Sequence, residues 1–473
     1  MTFHSIDFVL FFVATVALYW RLGHRHQNLL LLVASYFFYG YVHPWFLILI
    51  FATTVIDYWA ARGIAASPER KRLFMGLSLA ANLGMLGFFK YFNFFAGNVH
   101  ALLALVGFDV SVPALAIVLP VGISFYTFQE LSYTIEVYRG TLKARTDFLD
   151  FATFVCFFPQ LVAGPIERAS RLLPQVEGER HFSWAAAREA TLLIIWGYFQ
   201  KVVVADNVGV IANKVFALRE PGFHVLWAGV FAFGIQIYAD FSAYSDIARG
   251  TARWLGFDII RNFRSPYLSR GPADFWRRWH ISLSSWFRDY VYIPLGGSLG
   301  SAGRRAFAVL ATFVLSGFWH GASWNYVLWG FFHGMLLLAG RALSRFAPRE
   351  GFWSALVSPV QVVVMFALVN IGWLMFRETE TAFLIRDFSL SPFGWPLIER
   401  QAGLYLFLLA ALYSVPLWIY SAWDLSERRA GNAARVFPSP QRLAFEAVTC
   451  GLLFAVILVF RSRTSLDFIY FQF

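Results

Sequence analysis

The sequence predicts an all-α integral membrane protein, a multi-pass helical bundle. Two observations lead there. Of its 473 residues, 58% are apolar and 14% charged, against roughly a quarter charged in an ordinary soluble domain. Apolar runs long enough to cross a bilayer also recur from one end of the chain to the other. Fifty-three Phe, 18 Trp and 20 Tyr cannot all be hidden in a water-facing fold, whose surface must carry polar groups, so lipid must cover many of them. A soluble globular enzyme is thereby excluded. The net charge of +11 is spread in short clusters between apolar runs, with no basic arm or nucleic-acid motif, so no nucleic-acid partner is expected. Cys156 and Cys450 lie in apolar stretches without metal or redox spacing, and no metal is expected.

A bilayer-crossing helix needs about 20 apolar residues, and the chain offers about eleven or twelve such runs plus re-entrant segments. The first, 6–20, lacks a preceding basic region and a small-residue cleavage site, so it reads as a retained span. Runs at 28–42, 45–61, 73–95 and 113–138 follow, the first of them short, and 148–165 reads as re-entrant. Those at 186–218 and 223–256 are too long for one upright helix and must tilt, kink or leave the bilayer. A short run at 306–319 precedes 324–343, 355–376, 402–420 and 443–460. No internal repeat or Gly/Ser linker interrupts the series, so residues 1–473 are expected to form a single polytopic membrane domain. Alternating these spans from an external N-terminus puts 29 of the 39 basic residues on the cytoplasmic side, the arrangement that membrane insertion favours. Both termini are then expected to be external.

The longest interruption of the hydrophobic pattern, 258–305, falls on the basic face. Within it, 272–290 has helical periodicity, opening on Pro272 and stopping at Pro294-Leu295-Gly296-Gly297. Trp276, Trp279, His280, Leu283, Phe287 and Tyr290 would share one face, and Arg277, Arg278, Ser282, Ser284, Ser285, Arg288 and Asp289 the other. An interfacial amphipathic helix is predicted, its guanidinium groups turned to phosphates or lipid headgroups. His280 interrupts the aromatic face, where a polar ring needs a partner. His320 stands in Ser316-Gly317-Phe318-Trp319-His320-Gly321-Ala322-Ser323-Trp324-Asn325, within a stretch from Ala306 to Gly340 that holds no Asp, Glu, Lys or Arg. An ionisable ring in such a setting is a functional candidate. Gly321 beside it would let a substrate chain or backbone approach closely. His333 lies thirteen residues further on in the same apolar stretch, and helix packing is its simpler explanation.

Zinc hydrolysis is not indicated, because no His-Glu-x-x-His pair or carboxylate cluster occurs at ligand spacing. A serine hydrolase is not indicated either: Gly296-Gly297-Ser298-Leu299-Gly300 has the Gly-x-Ser-x-Gly spacing, but an all-α chain offers no strand from which such an elbow could turn. A neutral buried imidazole can take the proton from a hydroxyl as that hydroxyl attacks an activated acyl carbon. Acyl transfer without a serine or cysteine intermediate fits these residues.

At these positions the sequence resembles the membrane-bound O-acyltransferase superfamily, and more narrowly its bacterial alginate O-acetyltransferase-like branch. The resemblance is carried by Arg261-Asn262-Phe263-Arg264-Ser265-Pro266-Tyr267, by Phe275-Trp276-Arg277-Arg278-Trp279-His280-Ile281-Ser282-Leu283-Ser284, by Trp286-Phe287-Arg288-Asp289-Tyr290 and by Phe318-Trp319-His320-Gly321. Asp240-Phe241-Ser242-Ala243-Tyr244-Ser245-Asp246, Val162-Ala163-Gly164-Pro165-Ile166-Glu167-Arg168, Phe3-His4-Ser5-Ile6-Asp7-Phe8 and Ile469-Tyr470-Phe471-Gln472-Phe473 agree as well, with Ala243 where Gly is expected. The resemblance implies a helical bundle enclosing a transmembrane tunnel, with 258–305 as the catalytic or re-entrant loop on the cytoplasmic side.

It further implies that His320 and His280 are the catalytic pair, His320 where donor and acceptor meet and His280 near the cytoplasmic mouth. Acetyl-CoA or another acyl thioester would be the donor substrate, with no permanently bound cofactor. Its phosphates would lie near Arg277, Arg278 and Arg288, while Trp276, Trp319 and Asn325 shape the pocket. His320 would act as general base or carry the acetyl group briefly. The implied setting is the bacterial inner membrane, with lipid and a separate periplasmic acetyltransferase as partners. The implied task is O-acetylation of an extracellular polysaccharide, alginate-like first, peptidoglycan or cellulose otherwise. D-alanyl transfer to teichoic acid from a carrier-protein thioester is the alternative inside the family. A transporter or flippase is the alternative outside it.

Overall fold

Local capping chemistry decides where several helices begin. Ser5 accepts from the Phe8 amide at 3.1 Å and opens Ile6–Tyr19. Asp147 accepts from Leu149 at 2.8 Å and opens Phe148–Cys156, and Ser301 accepts from Arg304 at 3.3 Å to open Ala302–His320. Each side chain satisfies an amide that has no partner within its own helix. The computed structural model describes residues 1–108, 114–162, 164–218, 220–344, 352–429, 440–462 and 466–469, which are helical with no strand among them. Eight helices among the described residues are long and apolar enough to cross a bilayer. The predicted spans 6–20, 28–42, 113–138 and 306–319 form the helices Ile6–Tyr19, His24–Gly40, Ile123–Tyr138 and Ala302–His320, which are shorter or more polar than those eight. In the last three, buried groups such as Asn28, Glu130 and Thr312 interleave with the apolar residues.

The chain divides into two compact units, Met1–Ile194 with Ile247–Ile260, and Ile195–Asp246 with Arg261–Phe473. In the first, several polar groups inside the bundle are met by one another. Asp57 accepts from Ser78 at 2.5 Å and from Asn82 at 2.7 Å, and Arg180 donates to Asn28 Oδ1 at 2.6 Å and to the Val176 carbonyl at 2.9 Å. Of the predicted run 113–138, residue 113 lies outside the described residues and the rest becomes helical at Ile123, after a left-handed Gly122 (φ 79°). The segment read as re-entrant is two short buried helices, Phe148–Cys156 and Phe158–Leu161, separated at Phe157.

The second unit carries the candidate site. Its helices include Asp206–Phe216, Ala302–His320, Trp324–Leu343, Thr381–Ser389, Leu397–Arg429 and Pro440–Phe460. Among the described residues, three helical stretches widen into π turns, at Gly87–Tyr91, Gln200–Ala205 and Arg288–Tyr292. Such turns hold one residue more than an α turn.

The predicted helix over 272–290 is not continuous. It is Pro272–Trp276 and Ile281–Phe287, broken where His280 takes a left-handed conformation (φ 41°), and it ends in the Arg288–Tyr292 π turn. Trp279, His280 and Ser282 are all buried, so the two-faced interfacial helix is replaced by a folded-in loop. Helical periodicity records side-chain character but not a single residue that reverses its backbone twist.

Ala302–His320 and Trp324–Leu343 form a tight hairpin. A β-carbon at Gly317 would collide with the Tyr326 carbonyl oxygen, and one at Gly330 with the Phe313 carbonyl oxygen. Small residues at such crossings let two backbones touch, the usual basis of helix association in lipid. Gly334 is less constrained, since its nearest neighbour is the movable Leu310 Cδ2 at 3.0 Å. Gly317→Ala and Gly330→Ala should therefore each destabilise the protein by about 1–3 kcal/mol, and Gly334→Ala by clearly less. Thermal unfolding of the three variants in detergent checks this order, and a Gly330→Ala protein as stable as the parent would refute the backbone contact.

Candidate active site

Asn262 shapes the loop around His280. Its carbonyl accepts from the Ile281 amide at 2.9 Å, its side-chain oxygen accepts from Ser282 N at 3.2 Å and Ser282 Oγ at 2.7 Å, and its Nδ2 donates to Ser245 Oγ at 3.2 Å. A second tie runs from the Arg264 amide to the Arg278 carbonyl at 2.9 Å. Between these ties His280 is held in a left-handed backbone that a side-chain-bearing residue adopts only under constraint. Its ring is fully buried, edge-on to Phe241 at 4.6 Å between centroids.

His320 is the last residue of Ala302–His320 and is 5% exposed. Trp319, Trp329 and Phe376 surround its ring at 4.9, 5.2 and 5.2 Å between centroids. The Trp319 ring also lies 6.2 Å from His280. One indole thus stands within reach of both imidazoles. His333 joins the same group, because Trp329 contacts it at 4.8 Å and Trp276 at 5.1 Å. Neither nitrogen of His333 has a hydrogen-bond partner among the described residues.

The remaining predicted residues separate by place. Trp276 packs on His333, Trp329 and Phe313. Arg278 bonds Asp274 at 2.9 Å, and the exposed Arg277 shares that carboxylate at 3.7 Å. Arg288, also exposed, pairs with its neighbour Asp289 at 2.8 Å. Asn325 is buried with both ends of its amide engaged, donating to the Glu378 carbonyl and accepting from Thr381 Oγ1 at 3.1 Å, so it holds the 378–381 turn. The space beside Gly321 is filled by the Tyr326 ring of the same chain, which corrects the expectation of a substrate there.

Sequence reasoning missed Phe241, Trp329 and Phe376 as histidine neighbours, since aromatic residues are too common in this chain to mark a site. Asn262 stood inside a quoted motif without a role. Lys201 carried a signal that went unused. A lysine inside a span is functional by default, and here it is buried with Asp206 at 2.9 Å and Asp240 at 3.0 Å.

The membrane-bound O-acyltransferase family profile matches residues 139–377, which contain both histidines and every other predicted site residue. Over 426 residues the chain is 40% identical to the "Probable alginate O-acetylase AlgI" of Pseudomonas aeruginosa, covering 88% of this chain and 80% of that protein. The chain belongs to the membrane-bound O-acyltransferase family. A protein of the same description from Pseudomonas putida is 36% identical across the full length of both chains. The peptidoglycan O-acetyltransferase of Helicobacter pylori is 34% identical over 379 residues, 74% of this chain and 71% of that protein. Teichoic acid D-alanyltransferases are more distant. The chain is therefore a multi-pass membrane O-acyltransferase, and the histidine and aromatic cluster lies inside the matched region.

His280 lies outside every bilayer-crossing helix of this O-acyltransferase, and burial lowers its imidazole from the ordinary 6.5 to about 3. The ring is neutral at working pH and can accept a proton. The unfolded chain protonates this histidine below pH 6.5 while the folded one does not until about 3, so folding stability falls as pH drops through that window. The slope approaches about 1.4 kcal/mol per pH unit for this one group. Melting temperatures between pH 7.5 and 5, taken on the parent and on His280→Gln, should show a shallower acid decline in the variant. Equal declines would show that the ring is protonated in the folded protein.

Proposed function

We propose that this O-acyltransferase takes acetyl groups from a cytoplasmic thioester, acetyl-CoA, and passes them through the bacterial inner membrane for O-acetylation of an extracellular polysaccharide. An alginate-like exopolysaccharide is the first choice of acceptor, following the relatives' names; peptidoglycan and cellulose are the others. The observation that carries this reading is Trp319, whose indole lies against both His280 and His320. Two imidazoles on one aromatic wall give a transfer route polar groups at two points and apolar surface between them. Both termini face the periplasm in this reading.

The chemistry asks little more of the protein. His320, kept among aromatic rings, takes the proton of an acceptor hydroxyl as its oxygen attacks the thioester carbonyl. The carbon–oxygen ester bond forms, the carbon–sulfur bond breaks, and the proton passes to the departing thiolate. Arg277 and Arg288, both exposed on the loop, meet the donor phosphates, for which a guanidinium is well suited. The longest external connection, 377–401, is too short for a polysaccharide-binding domain, so a separate periplasmic acetyltransferase is the proposed partner.

His320→Ala should reduce transfer by about two to four orders of magnitude, the usual share of a general base, while the protein still inserts in the membrane. Mass spectrometry of ester-linked groups on each envelope polymer, in cells with and without the variant, reads both loss and acceptor. Undiminished acetate would end the assignment of His320, and ester-linked D-alanine in place of acetate would move the chain to teichoic acid chemistry.

A further inference from the structure

The buried cluster around Lys201 is unused by this mechanism. It is completed by a distant piece of chain. In the Gln200–Ala205 turn, the ammonium meets Asp206 Oδ1 at 2.9 Å, Asp240 Oδ1 at 3.0 Å and the Leu466 carbonyl oxygen at 2.9 Å. The two carboxylates are ion pairs, and the Leu466 carbonyl takes a hydrogen bond from the ammonium. Asp240 turns its other oxygen to the Ile469 amide, which donates at 2.8 Å. The segment 466–469 therefore supplies one acceptor and one donor to a buried ion cluster, both from its backbone.

Phe468 lies between these two anchors and is fully buried. Its ring is 4.3 Å from Tyr244 and 5.9 Å from Phe241 between centroids. Phe241 is the residue whose ring meets His280 at 4.6 Å. A continuous line of contacts thus runs from the Lys201 cluster through Phe468 and Phe241 to the histidine.

The geometry points to a clamp: Lys201, Asp206 and Asp240 are positioning residues that hold the segment 466–469 so that Phe468 backs Phe241 and fixes the His280 ring. This rests on the reading of His280 as part of the acyl-transfer route. The clamp engages main-chain groups, so it holds the segment whatever side chains that segment presents elsewhere.

The test uses the full chain purified in lipid. Asp240→Asn weakens the clamp from the helix side, and Ile469→Pro removes the amide that Asp240 accepts without touching any span. Amide hydrogen exchange across 466–469 should quicken by about tenfold or more in both variants. The kcat for acetyl-CoA turnover should fall by about tenfold with KM for the donor unchanged, and the double variant should be no worse than either single one, as expected for one shared interaction. A segment that stays protected in Asp240→Asn overturns the clamp. Fast exchange with unaltered kcat, or additive losses in the double variant, overturns its role at His280. Exchange is read without turnover, so the clamp stands or falls apart from the acyl-transfer reading, whose own failure is an active His320→Ala protein.

Discussion

His280 adopts a backbone conformation that costs a residue with a β-carbon about 1 kcal/mol or more, and the loop keeps its form because Asn262 offsets that cost. The offset is local and specific. One asparagine engages the two amides that follow His280 and the Ser282 hydroxyl, groups that would otherwise need water in a buried place. The break lets three neighbours serve three surroundings. Trp276 reaches His333 and Trp329, Trp279 packs with Phe263 and Trp373, and His280 meets Phe241 and Trp319. A continuous helix would have placed these side chains on one stripe.

Around this loop the second unit uses rings where a soluble enzyme would use charged groups. Among the described residues, His320 is enclosed by Trp319, Trp329 and Phe376, mostly edge to face. Such pairs contribute about 0.5–1.5 kcal/mol each beyond the area they bury. The backbone contact at Gly317 and Gly330 makes the hairpin bearing His320 stiff, so the position of the ring is set by main chain as much as by its neighbours.

Much of this was legible in the amino-acid sequence, and the parts that were not share a cause. Composition and apolar runs were enough for a multi-pass helical protein, and an uncharged stretch was enough to make His320 conspicuous. What escaped was long-range pairing. Lys201 and Ile469 meet partners that are far apart along the chain, and no local pattern reports that. The break at His280 escaped because aromatic and arginine spacing over 272–290 is helical on both sides of it. Gly321 was noticed for the right property, room beside the backbone, but the Tyr326 ring five residues on already fills that room. Asn325, which the resemblance placed at the pocket, has both ends of its amide engaged by the 378–381 turn.

The widened turn at Gln200–Ala205 also bears on how related chains should be aligned. A π turn is one residue inserted into an α-helix, and each inserted residue rotates everything beyond it by about 100°. Lys201 sits inside that turn and Asp206 just after it. A relative lacking one residue here would leave the lysine and aspartate four apart, still neighbours on one helix face, but would turn one flank of the helix against its packing. Gaps placed for best identity elsewhere in the helix would conceal that change. Counting residues across this turn therefore sorts family members that keep this helix register from those that have turned it, even where the flanking motifs look the same.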